Sequence, residues 1–208
     1  PKQCLQQWDA LVNEADFFAE CLGPGAEQPA QRIIALSPCH HIYGFIFSVL
    51  LPLQLQLPVV RGPQALALIN QRKLQAGDLL IGFPFIWGQL SRQGISFAAG
   101  ITAITSTGPC DPRIIRQLRQ QGLERMIEVY GSSETAGIGL RSDPEVPFKL
   151  LPRWRRGGHA DTLSECASGA DYELNDHLQW LDQTYFRPTG RRDKAVQVGG
   201  INVFPASI

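Results

Sequence analysis

No Cys-x-x-Cys pair occurs in this chain, and its five cysteines (Cys4, Cys21, Cys39, Cys110 and Cys166) form an odd, scattered set. That excludes the closed disulfide framework of small secreted domains and makes a reducing, cytoplasmic setting the expected one. Excess charge is lacking too. With 19 Lys and Arg against 19 Asp and Glu, no global field marks a binder of nucleic acids or other polyanions. The longest apolar stretch, IYGFIFSVLLPLQLQLPVV, is broken by Gly44, Pro52, Gln54 and Gln56. It suits a buried helix running into a strand better than a bilayer span, so no transmembrane segment is expected. Pro1-Lys2 carries neither an initiator methionine nor the basic start and apolar run of a signal peptide. The chain is therefore expected to begin inside a longer protein. Internal repeats and low-complexity tracts are absent.

What is present is a core-forming composition, 44% hydrophobic over 208 residues, enough for one sizeable domain or two unequal pieces. Leu5, Trp8, Leu11, Val12, Ala15, Phe18 and Leu22 recur at helical spacing and stop at Gly23-Pro24-Gly25. The runs RIIAL, LPVV, DLLIGF, ITAITS and MIEVY then read as five buried strands. Between them lie helical stretches: HIYGFIFSVLLPL, residues 64–74, a short one near Trp87, and DPRIIRQLRQQG with Asp111 as N-cap and Pro112 at its first position. Strands alternating with helices, with little polar alternation inside the strands, predict an α/β fold: a mostly parallel sheet covered by helices on both faces. Beyond Gly139 the prolines and the basic cluster RWRRGGH suggest a loop-rich excursion. YEL, LQWLD, YFRPTG and AVQVGG then predict a smaller β-rich lobe.

The chemistry concentrates in EVYGSSETAGIGLR, residues 128–141, at the end of the fifth strand. In open parallel sheets ligands sit beyond the carboxyl ends of the strands. There Tyr130 could stack on a planar base and Gly131 would permit close backbone approach. Ser132, Ser133 and Thr135 could donate to phosphate oxygens, and Glu134 could hold Mg²⁺. The residues thus suit a nucleotide. Taken alone they equally describe a glycine-rich surface turn with a solvated glutamate.

Two further stretches separate these readings. HHIYGF upstream, VYGSSETAG, and GRRDKAVQVGGINVFP downstream occur in the order found in the adenylate-forming superfamily of acyl- and aryl-CoA synthetases, 4-coumarate-CoA ligases and adenylation domains, which the chain resembles over nearly its whole length. The resemblance implies ATP-dependent activation of a carboxylic acid as acyl-AMP, then transfer to a thiol of coenzyme A or of a carrier protein's phosphopantetheine. By similarity Glu134 would bind Mg²⁺, Ser133 would touch the α-phosphate, and Tyr130, Gly131 and Ser132 would frame the adenine and its phosphate. Gly108 and Pro109, in STGPCDP, would line the other side of the base, although the same residues also read as a strand-to-helix turn. Asp176, or alternatively Asp182, would hold the ribose hydroxyls. Arg191 would contact ribose or phosphate, and Asp193 would be the hinge on which a C-terminal domain swings. TGRRD also reads as an exposed turn. His41, Tyr43, Ser106 and Ile138 would border the acid, and Lys2 would be the last trace of a phosphate loop.

The resemblance divides the chain into an adenylate-binding subdomain at 1–140, a loop- and β-rich lobe at 141–190, and a hinge with the start of a C-terminal domain at 191–208. It implies that the phosphate loop and most of the C-terminal domain fall outside these residues, so complete ligase activity is not expected of them alone. The competing function is a non-catalytic adenylate-binding or interaction module. A serine hydrolase is disfavoured, because YGSSET is not the Gly-x-Ser-x-Gly elbow.

Overall fold

The computed structural model describes residues 4–192 and, by backbone alone, two short strands at 196–198 and 201–203. The five apolar runs form β1 (Arg32–Ala35), β2 (Val59–Arg61), β3 (Asp78–Gly82), β4 (Thr102–Thr105) and β5 (Arg125–Ser132), all mutually parallel. Residues of one strand alternate between two separate cores. Ile33, Leu79, Ile81, Ile104 and Ile127 face one. Their neighbours Ile34, Leu80, Ala103 and Met126 face the other. A slip of one residue would exchange the two sets, so this alternation fixes the register.

Helices cover both faces. α1 (Trp8–Leu22), α2 (Ile42–Phe45) and α3 (Leu51–Leu55) close the first core. α4 (Gly62–Asn70), α5 (Pro84–Gln93) and α6 (Pro112–Gln120) close the second. α6 starts as its sequence demands, with the Asp111 carboxylate accepting from Arg113 N at 2.8 Å and Pro112 in the first turn. α2 and α3 are joined by a π-helical turn, Ile46–Leu50. Pro52 has no N–H to return to Ser48 O, and the Arg61 guanidinium donates to that carbonyl instead. The first helix begins at Trp8 rather than Leu5, and Leu5 is 98% exposed.

Past β5 the sheet turns antiparallel. β6 (Ala136–Arg141), β7 (Phe148–Leu150), β11 (Asp176–Trp180) and β12 (Tyr185–Arg191) extend it to nine strands in the order β11-β12-β7-β6-β5-β4-β3-β1-β2. β8 (Trp154–Arg156), β9 (Thr162–Glu165) and β10 (Asp171–Glu173) form a separate three-stranded antiparallel sheet. β13 (Val196–Val198) pairs with β14 (Ile201–Val203). β6 had no strand signature because AGIGLR is rich in glycine, a poor strand former. The glycines are there for space: a Cβ on Gly139 would lie 2.8 Å from the Phe186 ring, and one on Gly137 2.4 Å from Glu14 Oε1.

Candidate active site

The carboxyl ends of β3 and β4 are drawn together by Tyr43. Its buried hydroxyl lies 2.9 Å from Gly82 O and 2.7 Å from Ile104 O, sharing its one proton between the last turns of two strands. These contacts make Tyr43 a brace behind the strand ends. Ile138, on β6, is likewise buried in the first core. His41 is exposed at the start of α2, its ring 4.4 Å from that of His40. Ser106 and Gly108 are half-buried and Pro109 exposed in the loop between β4 and α6.

At the end of β5 the ladder with β6 bulges between Tyr130 and Gly131. Gly131 cannot be replaced there without moving backbone, because a Cβ would stand 2.1 Å from Ala136 O. The reversal that follows is held by its own hydroxyls. Ser132 Oγ accepts from the backbone N–H of Glu134 and of Thr135, each at 3.2 Å, and lies 2.9 Å from Thr135 Oγ1. Ala136 completes the turn with φ +56°. Ser132 and Thr135 therefore serve the turn itself, while Ser133 is exposed and Glu134 half-buried at its tip.

Tyr130, Asp176 and Arg191 meet although they are distant in sequence. Tyr130 Oη donates to Asp176 Oδ2 at 2.5 Å, and Arg191 Nη1 lies 3.8 Å from Asp176 Oδ1. Asp176 and Arg191 face one another in the β11–β12 register. Asp176 Oδ1 is buried, and no described residue donates a hydrogen bond to it. Burial and the Asp176 carboxylate push the Tyr130 phenol far above its ordinary range, so it stays a donor. Its ring leans on Phe148 and Phe186, both with centroids at 5.6 Å. Asp182, the alternative ribose ligand, instead accepts from Thr184 N at 2.6 Å and Tyr185 N at 2.7 Å within a hairpin turn. Lys2 and Asp193 lie outside the described residues.

Several residues at the site carry no sequence motif. Gln6 Nε2 donates to Ser133 O at 2.6 Å. Glu14, buried in α1, accepts from Gly137 N at 2.9 Å, and Trp154 Nε1 donates to Gly137 O at 2.7 Å. Arg153 joins Glu14 (3.6 Å) to Glu165 (2.9 Å). Glu134 lines a cavity of about 220 Å³ with Leu5, Gln6, Ala10, Glu165 and Tyr172, and that cavity does not include Tyr130, Asp176 or Arg191. The described residues contain no group of three or more His, Cys, Asp or Glu placed to share a metal. No helix among the described residues is long and apolar enough to cross a membrane.

No protein-family profile matches the chain. Over its full length it is 37% identical to 52% of a 4-coumarate-CoA ligase of Halorhodospira halophila. Over 98% of its length it is 38% identical to 52% of a 4-coumarate-CoA ligase of Rhodobacter capsulatus. The chain thus spans about half the length of the curated relatives it matches. Its fold superposes on an o-succinylbenzoate coenzyme A synthetase of Bacillus subtilis in complex with ATP and magnesium, with TM-score 0.72 and 18% identity over all of this chain and 51% of that one.

Proposed function

The chain belongs to the adenylate-forming superfamily, and from that premise we propose that it supplies the nucleoside-binding wall of an enzyme that activates a carboxylic acid with ATP and transfers it to coenzyme A. In the first half-reaction a carboxylate oxygen attacks the α-phosphorus of ATP. The α–β anhydride bond breaks, pyrophosphate leaves and acyl-AMP forms. In the second, a thiol sulfur attacks the acyl carbon, loses its proton, and AMP departs. Neither step needs covalent help from the protein, whose part is orientation and charge neutralisation.

The observation that carries this reading is Asp176. One of its oxygens is engaged by Tyr130, while the other is a buried acceptor without a hydrogen-bond donor among the described residues, suited to the hydroxyls of a ribose. Arg191 lies beside it, Nη1 3.8 Å from Oδ1, and would add positive charge where the phosphates of a nucleotide would lie. On this reading the Ser132–Thr135 turn would offer Glu134 to Mg²⁺, which when bound would neutralise the phosphates, and Ser133 to the α-phosphate. Gly108 and Pro109 lie in the loop that follows β4, the strand beside β5, where they would flank the base. His41 and Ser106 would meet the acid, with Tyr43 and Ile138 shaping its wall from behind. The choice of coenzyme A over a carrier protein rests on the ligases to which the chain is similar.

The test is ATP–pyrophosphate exchange by the full-length protein against a panel of aryl and acyl acids. Exchange dependent on one acid class supports the proposal. AMP binding without exchange for any acid would overturn it in favour of a non-catalytic adenylate-binding module.

A further inference from the structure

We infer that Glu14 is a positioning residue: through the Gly137 N–H it tethers the turn bearing Ser133 and Glu134 to α1, and so sets where that turn meets the phosphates and metal of the proposed site. The inference rests on the adenylation reading for its catalytic meaning, but its geometry stands independently.

A fully buried carboxylate in the middle of a helix needs a reason, because desolvation penalises it. At its position on β6, Gly137 has no strand partner on the side away from β5, since β7 pairs only with Gly139 and Leu140. Side chains replace the absent strand: Glu14 Oε2 takes the N–H of Gly137 and Trp154 Nε1 serves its C=O. Only glycine admits the carboxylate so closely, given the 2.4 Å separation a Cβ would have. Gln6, eight residues before Glu14, holds the other end of the same reversal at Ser133 O. Arg153 Nη1 lies 3.4 Å from Ala10 O, which stands one helical turn before Glu14. Arg153 then carries the connection to Glu165 on β9. The turn is therefore gripped at both ends by α1 and the segment leading into it, across 127 and 123 residues of sequence. Glu14 makes its hydrogen bond to Gly137 rather than to Ser133 or Glu134. It acts by fixing the backbone three residues beyond Glu134.

The test uses the full-length protein with Glu14→Ala, the conservative Glu14→Gln, which keeps an acceptor for Gly137, and Ile115→Val as a mild deletion in the opposite core. Amide hydrogen exchange over residues 133–137 is read without ligand. It is expected to accelerate in Glu14→Ala, and to match wild type in Glu14→Gln and in Ile115→Val. In pyrophosphate exchange, half-saturation by Mg²⁺ is expected to rise roughly 10-fold in Glu14→Ala, the lower end of the loss seen when a metal ligand's supporting contact is removed. Rescue by Gln and no shift in Ile115→Val would separate positioning from general stability. Unchanged amide exchange in Glu14→Ala overturns the tether. Faster amide exchange with an unshifted Mg²⁺ requirement overturns its role in positioning. A wild type inactive with every acid defeats the adenylation reading and this catalytic role together, while the amide measurement still decides the tether.

Discussion

Tyr130 Oη donates to Asp176 Oδ2 at 2.5 Å across 46 residues of sequence, tying the end of β5 to the start of β11. The bond orients the carboxylate and occupies one of its oxygens, leaving Oδ1 for a ligand. A hydrogen bond to a charged group contributes about 1.5–3 kcal/mol. Asp176→Ala should therefore weaken AMP binding by roughly 10- to 100-fold. Calorimetry with AMP and 2′,3′-dideoxy-AMP gives the sharper check: wild type should prefer AMP, and the variant should bind both alike.

Glu134→Ala should lower pyrophosphate exchange by roughly 10²- to 10³-fold, the size of losing one preorganised electrostatic contact. The fold should survive, because the turn's internal hydrogen bonds run through Ser132 and Thr135. Circular dichroism and a Tm within about 2 °C of wild type would establish that. Full exchange in a folded Glu134→Ala protein would refute the Mg²⁺ assignment.

Gly139→Ala tests the space behind β6. The new methyl would sit 2.8 Å from the fully buried Phe186 ring and 2.9 Å from Lys149 O, and backbone cannot easily yield. Overpacking of this kind costs about 1–3 kcal/mol, a Tm fall of several degrees at about 2–4 °C per kcal/mol. Phe186→Leu in the same chain should recover part of the loss relative to additivity, as a double-mutant cycle would show.

Burial pushes the Glu14 carboxyl up to about 7, against the pull of the Gly137 N–H and of Arg153. In the unfolded chain it titrates near 4.5. Between these values the folded protein holds a proton that the unfolded chain has released, so stability from this group is full below the lower value and is lost as pH rises through about 7. Arg153, with Glu165 on its far side, is the charge that faces it. Urea midpoints should fall over this window in wild type and stay flatter in Glu14→Gln. The Asp111 carboxyl, held at about 2 first by its bond to the Arg113 side chain, acts in a separate window: its contribution is lost only as pH falls below 3.8.

The parallel half of the fold was legible because its strands carry the signal locally. After their leading Arg32 and Asp78, RIIAL and DLLIGF are apolar, as strands buried on both faces must be, and Asp111-Pro112 announces the start of α6. β6, β7 and β8 were not legible. The glycines of β6 answer to Phe186 and Glu14, which lie far away in the chain, and β7 and β8 are only three residues long.

The same division runs through the site. The residues from Tyr130 to Thr135 are adjacent, and the chemistry of a turn that could face phosphate and metal is written in their order alone. Tertiary structure decided which aspartate joins Tyr130, placing Asp176 there and consigning Asp182 to a hairpin turn. It also turned Tyr43 into a brace and recruited Gln6, Glu14 and Arg153 to hold the turn. A local motif is set by covalent neighbours, which sequence lists in full. The partners of a buried polar group are set by which distant surfaces the packed core brings within about 3 Å, and no local pattern encodes that distance.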